Sequence, residues 1–82
     1  MNITLLYFAQ LREKVATSKE RLELPPGSTV HDLRRRLIEL HPQIGAALPG
    51  VAIAVNMEYA EDERILANGD SVALIPPVSG GC

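Results

Sequence analysis

A single amphipathic stripe sits between two groups of short apolar runs, and this arrangement most constrains how the chain can fold. Val30, Leu33, Leu37 and Leu40 recur at helical spacing. Ser28 or Thr29 can cap this segment, and Asp32 sits where the positive helix N-terminus favours an acid. His41-Pro42 ends it, because a residue preceding proline disfavours α geometry. One helix with one stripe cannot form a core alone and must cover a sheet. The strands are read from period-two patterns. Ile3 to Phe8 is apolar on both faces, with Ile3, Leu5 and Tyr7 on one and Thr4, Leu6 and Phe8 on the other, as in a central strand. Lys19 to Leu24 alternates, with Leu22 and Leu24 inward, and Pro25-Pro26-Gly27 stops it.

Gln10 to Val15 reads as a short helical turn and Gln43 to Gly50 as a connecting loop. Val51 to Val55 is a further strand, turned back at Asn56-Met57-Glu58-Tyr59 into a short partner. Asn68-Gly69-Asp70 is a turn signal before the last strand, Ser71 to Ile75. The order β-β-α-β-(short β)-β predicts an α+β two-layer domain. Leu5, Leu33, Leu37, Ile53 and Leu74 are the predicted core. Arg34, Arg35 and Arg36 lie mostly off the stripe and read as a solvated face. Glu58, Glu61, Asp62 and Glu63 read as a solvated acidic loop, and Tyr7 and Tyr59 as structural, with their hydroxyls at the rim.

The chain of 82 residues is expected to form one domain. Its 46% hydrophobic content argues against disorder. One cysteine permits no internal disulfide, which fits a reducing, cytoplasmic setting. The start lacks a signal-peptide n-region, and no apolar run approaches the ~20 residues that span a bilayer. A net charge of −2 argues against a nucleic-acid partner. His31 and His41 are ten residues apart with no cysteine or carboxylate cluster at ligand spacing, so no metal is expected. No catalytic triad is visible.

The end of the chain, Pro76-Pro77-Val78-Ser79-Gly80-Gly81-Cys82, carries the chemistry. Ordering a residue costs about 1–2 kcal/mol, and glycine loses the most freedom. Residues 78–82 are therefore expected to be a flexible tail on a domain of residues 1–77. A Gly-Gly thread has no side chains and can enter a narrow tunnel. Val78 to Gly81 would reach at most about 13–14 Å when extended. Affinity for a partner would then come mainly from the body, through an apolar patch. Phe8, Pro76, Pro77, Val78 and Ser79 are the candidate contacts, although Phe8 serves equally as a core residue.

These motifs resemble a known family. Leu6-Tyr7-Phe8-Ala9 with Leu11-Arg12-Glu13 carries the likeness, as do Thr29-Val30-His31-Asp32-Leu33, Ala54-Val55-Asn56 and Tyr59. Asn68-Gly69-Asp70-Ser71-Val72-Ala73 and Ile75-Pro76-Pro77-Val78-Ser79-Gly80-Gly81 complete it. Together they resemble the small, sulfur-carrying subunit of molybdopterin synthase. The resemblance implies a ubiquitin-like β-grasp fold, with a mixed sheet of four or five strands against one main helix. It implies a non-catalytic subunit that binds no cofactor itself. An ATP-using adenylyltransferase partner, related to ubiquitin-activating enzymes, would activate the glycine carboxylate. A thiocarboxylate at Gly81, next to Gly80, would then give its sulfur to cyclic pyranopterin monophosphate on the large catalytic subunit. Bare Gly-Gly ends also occur in sulfur carriers for thiazole, cysteine or tRNA thiolation and in ubiquitin-like modifiers. An interaction module with an inert tail is a further alternative.

Cys82 departs from the family pattern, which ends at the second glycine. It locks the Gly81 carbonyl in a peptide bond. Three readings are open: an added residue, a natural extension removed by a protease, or a mimic of a cysteine adduct.

Overall fold

The computed structural model describes residues 1–77. Five strands form one mixed sheet in the order β2-β1-β5-β3-β4. They are β1 (Asn2–Tyr7), β2 (Lys19–Glu23), β3 (Ala52–Val55), β4 (Glu58–Ala60) and β5 (Ser71–Ile75). Helix α1 (Ala9–Val15) joins β1 to β2, and α2 (Val30–Leu40) follows β2. The β1–β5 pair is parallel, with Tyr7 opposite Leu74; the other three pairs are antiparallel. This is the expected β-grasp arrangement.

One face of the sheet and the stripe of α2 share a single core. Ile3, Leu5 and Tyr7 of β1, Val72 and Leu74 of β5, and Ile53 and Val55 of β3 pack with Val30, Leu33 and Leu37. All five predicted core residues are buried. Leu40 is the exception on the stripe: it is exposed, because α2 ends there and the chain turns away at His41.

Helix α2 starts with a capping box. Thr29 Oγ1 accepts the Asp32 amide, and Asp32 Oδ2 accepts the Thr29 amide at 2.9 Å. Two otherwise orphaned donors are thereby satisfied. These bonds hold the Asp32 carboxyl below its ordinary range, the backbone bond from Thr29 being the main cause.

The segment read as a loop over 43–50 contains two short 3-10 turns, Pro42–Ile44 and Leu48–Gly50. Each inserts one side chain, Ile44 and Leu48, into the core. The β3–β4 hairpin turns through Asn56 (φ 50°) and Met57 (φ 71°). Two positive φ values mark the turn type whose twist matches paired strands. Asn56 also accepts the Ser71 amide and donates to Asp70, tying the hairpin to the start of β5. Gly69, at φ 89°, supplies the left-handed residue of the turn before β5.

Candidate functional site

Parallel pairing of β1 with β5 brings the C-terminal ends of both strands to one end of the sheet. Phe8 follows Tyr7 with extended backbone (φ −125°, ψ 155°), so it continues the alternation of β1 onto the face away from α2. Ala9 then breaks the strand with φ 50° and starts α1. A positive φ costs a non-glycine residue about 1–2 kcal/mol. That local cost leaves Phe8 on the surface at the strand end, 47% exposed.

The registers define what shares this face with Phe8. Leu6 lies opposite Ala73, Ala73 opposite Ala54, and Ala54 opposite Tyr59, a row across β1, β5, β3 and β4. A second row pairs Ile75 with Ala52. Leu6, Ala73, Ile75 and Ala52 are half-buried, and Tyr59 is 76% exposed. Small residues in the middle make the face shallow, with an aromatic ring standing at two of its margins. On the β2 side, Lys19 and Arg21 lie opposite Leu6 and Thr4 and form a basic fringe. Tyr59 is thus a surface residue of this face and not the structural residue its sequence suggests. Sequence reasoning missed Leu6, Ala73, Ile75 and Tyr59, although the doubly apolar alternation of β1 signalled that its second face was also special.

Beyond Ile75 the chain reaches the root of the tail. Pro76 is buried and Pro77 exposed. Gly50 faces Pro77: a Cβ built on Gly50 would lie 3.8 Å from Pro77 Cγ. The remaining candidates, Val78, Ser79, Gly80 and Gly81, together with Cys82 and the expected tail flexibility, lie outside the described residues. Phe8, Pro76 and Pro77 therefore share one end of the sheet.

A polar cluster lies on the core side of β1. Tyr7 is buried and its hydroxyl donates to Glu20 Oε1 at 2.8 Å. His41 Nε2 meets the same oxygen at 2.8 Å, and the His41 ring stands edge-on to Tyr7. Burial, reinforced by the Glu20 carboxylate, pushes the Tyr7 hydroxyl above its ordinary range, so it stays a donor. The bond from His41 is the main reason the Glu20 carboxyl lies below its usual value. Glu20 sits inward because it shares the face of Leu22. No local pattern signals this pairing, since Glu20 and His41 are separated by the whole of α2.

Two further sequence readings change. Arg34 is not on a solvated face: Nε donates to Asp62 Oδ1, Nη1 to the Leu48 carbonyl and Nη2 to the Val51 carbonyl. Asp62 is correspondingly a paired residue, with His31 Nδ1 also 3.8 Å away. Among the described residues no group of three or more His, Cys, Asp and Glu could hold a metal ion. No helix among them is long and apolar enough to cross a membrane. A surface depression of about 480 Å³ lies at the β2–α2 junction, between Pro25-Pro26-Gly27 and Arg35, Arg36 and Glu39. It is at the end of the sheet opposite Phe8, and its walls carry both charge signs.

Comparison with known proteins agrees with this architecture. Residues 5–81 match the ThiS family. The molybdopterin synthase sulfur carrier subunit of Chlamydomonas reinhardtii is 39% identical over 83 residues, covering 99% of this chain and 100% of that protein. The crystal structure of SAMP1 from Haloferax volcanii superposes with a TM-score of 0.89 at 28% identity, over 99% of this chain and 100% of that one. A subunit in the complex of subunits 1 and 2 of the molybdopterin-converting factor of Helicobacter pylori shares the fold, with a TM-score of 0.71 at 22% identity. That match covers 99% of this chain and 100% of that one.

Proposed function

The chain belongs to the ThiS family, and on that premise we propose that it is the sulfur carrier subunit of a molybdopterin synthase. The observation that carries this reading is the joint placement of the tail root and an apolar sheet face that no helix among the described residues covers. Leu6, Phe8, Ala73, Ile75 and Tyr59 offer a docking surface, and Pro76-Pro77 start the tail at its end. Full-length similarity to a named sulfur carrier subunit supports the same reading.

In this reading the body binds and the tail reacts. A carboxylate is a poor electrophile, so an adenylyltransferase partner first joins the Gly81 carboxylate to AMP and releases pyrophosphate from ATP. A persulfide sulfur attacks the acyl carbon, and AMP leaves. A second thiol then breaks the sulfur–sulfur bond and frees the thiocarboxylate, a good sulfur nucleophile. The tail delivers it to the pterin precursor held by the large catalytic subunit. The carrier itself needs no acid, base or metal, and ATP is used by its activating partner. In the chain as it stands Gly81 is an amide to Cys82, so the cycle requires cleavage of that bond first. The phenyl and phenol rings of Phe8 and Tyr59, at two margins of the face, suit aromatic anchors of such an interface. Lys19 and Arg21 suit its charged rim.

A second reading, a protein modifier joined through Gly81 to lysines, is favoured by the likeness to the small archaeal modifier protein 1 of Haloferax volcanii. Intact-mass analysis of the protein purified from its own cells separates the two. Loss of Cys82 with replacement of one oxygen by sulfur is expected for the carrier. Attachment to larger proteins would instead establish the modifier, and an unchanged full-length mass would contradict both.

A further inference from the structure

The sheet face turned away from α2 carries its charge on one side only. On β2, Leu22 belongs to the core and Glu20 bonds Tyr7 there, so Lys19, Arg21 and Glu23 point to the opposite face. All three are exposed. The other edge strand, β4, contributes Tyr59 to this face and no charge, since Glu58 lies opposite the core residue Val55. Between the two edges, the residues of β1, β5 and β3 on this face are all uncharged.

Along β2 the two signs also separate. Glu23 lies opposite Asn2, at the polar end of the face, where Thr4 pairs with Ser71. Lys19 lies opposite Leu6, toward Phe8, with Arg21 next to it opposite Thr4. The two cations are two residues apart on one face, about 7 Å. Neither forms an ion pair among the described residues. A local cationic margin therefore stands on a chain whose net charge is −2. The apolar ground beside it is shallow, with Ala73, Ala54 and Ala52 at its centre, so shape gives a partner little to register against. Charges across an interface steer the encounter and fix register more than they add affinity.

We propose that Lys19 and Arg21 steer and orient docking on this face, and that the occupant is a protein surface with an apolar centre bordered on one side by acidic residues. The identity of that partner rests on the sulfur carrier reading, in which it is the large catalytic subunit. A second copy of this chain does not fit. The acid its own face offers is Glu23, at the polar end, so placing Glu23 over Lys19 would lay Asn2 and Ser71 over Phe8. Lysines on edge strands also guard against pairing with other chains. That role concerns the open backbone edge of β2, and its loss would change self-association and leave the docking rate alone.

The test is stopped-flow association with the large catalytic subunit, using the chain with and without Cys82, from low salt up to about 1 M, where screening acts within about 3 Å. For the parent chain kon should fall steeply with salt while koff changes little. Lys19→Gln combined with Arg21→Gln should lower kon at low salt roughly 10-fold or more and flatten its salt dependence. At about 1 M salt the variant and the parent should agree. Lys19→Glu combined with Arg21→Glu should reverse the sign of the salt dependence. Lys19→Arg keeps the charge and should keep the parent kon. Arg35→Gln combined with Arg64→Gln removes the same charge elsewhere, from α2 and from the segment whose carbonyl meets the start of α2, and should leave kon near the parent value. An unchanged kon in the Lys19/Arg21 glutamine variant, or an equal fall in the Arg35/Arg64 variant, overturns the proposal while the sulfur carrier reading stands. Self-association of the parent in sedimentation velocity, lost in the Lys19/Arg21 glutamate variant, would assign the face to a second copy and overturn it as well. No association of the parent in either form refutes the sulfur carrier reading, and the proposal with it.

Discussion

Leu37→Ala removes three carbon atoms from a side chain with no exposed surface, in the middle of α2. At about 0.8 kcal/mol per buried methylene-sized group, the transfer loss is roughly 2.4 kcal/mol. A residual cavity adds to this, and measured large-to-small series place leucine truncations at about 2–5 kcal/mol. Leu40→Ala supplies an internal control. It makes the same chemical change on the same helix, so the helix propensity terms nearly cancel. Leu40 is 38% exposed and lies outside the core, so its truncation should cost under about 1 kcal/mol. The assay is urea unfolding followed by circular dichroism. For a small domain with a slope of about 1 kcal/mol/M, the Leu37→Ala midpoint should fall by about 2 M or more, and the Leu40→Ala midpoint by under about 1 M. Equal losses in the two variants would refute the assignment of the buried stripe to Val30, Leu33 and Leu37.

Two other perturbations test separate parts of the structure. The folded state holds the Glu20 carboxyl below its ordinary value of 4.5, so the Glu20 contribution is fully present above that pH and fades as pH falls through the lowered pKa. Glu20→Gln should therefore lower Tm at pH 7, and the gap to the parent should close in acid below pH 4.5; a gap independent of pH would remove the role given to the carboxylate. Phe8→Ala and Tyr59→Ala should each weaken binding to the large subunit, by more than about 1 kcal/mol if they are anchors, without changing the unfolding midpoint. Unchanged affinity in a calorimetric titration would move the docking surface elsewhere.

The elements that sequence reveals here are those fixed locally. The β1 run, the alternation of β2, the Thr29–Asp32 cap and the Asn56-Met57 turn each carry their own signal within a few residues. The parallel pairing of β1 with β5 joins residues nearly seventy positions apart, and no local pattern states it. The segment 43–50 looked like loop because Ile44 and Leu48 are isolated among Gly, Ala and Pro, without a period. Leu40 obeys the period of α2 but falls where the helix leaves the core. The same limit applies to side chains. Arg34 stands in a run of three arginines that reads as solvated, yet its partners Leu48, Val51 and Asp62 come from other segments. At the candidate site, Phe8 and Pro76-Pro77 were legible from composition, whereas Tyr59 joins them only through the registers of β4, β3 and β5.

If the body docks while the Gly81 carbonyl reacts, sulfur loading depends on the chemical state of the C-terminus alone. Four forms of the protein are compared in ATP-dependent thiocarboxylate formation with the activating enzyme and a persulfide donor: full length, lacking Cys82, lacking Gly81 and Cys82, and lacking Cys82 with Gly81→Val. Mass spectrometry reads the oxygen-to-sulfur exchange. Only the form ending at an intact Gly81 should become thiocarboxylated. The full-length chain should react only after Cys82 is removed. The Gly81→Val form should fail because a β-branched side chain obstructs a narrow tunnel. All four should keep the same unfolding midpoint. Thiocarboxylate formation by the full-length chain at the rate of the Gly81-ending form, with Cys82 still attached, would contradict the account.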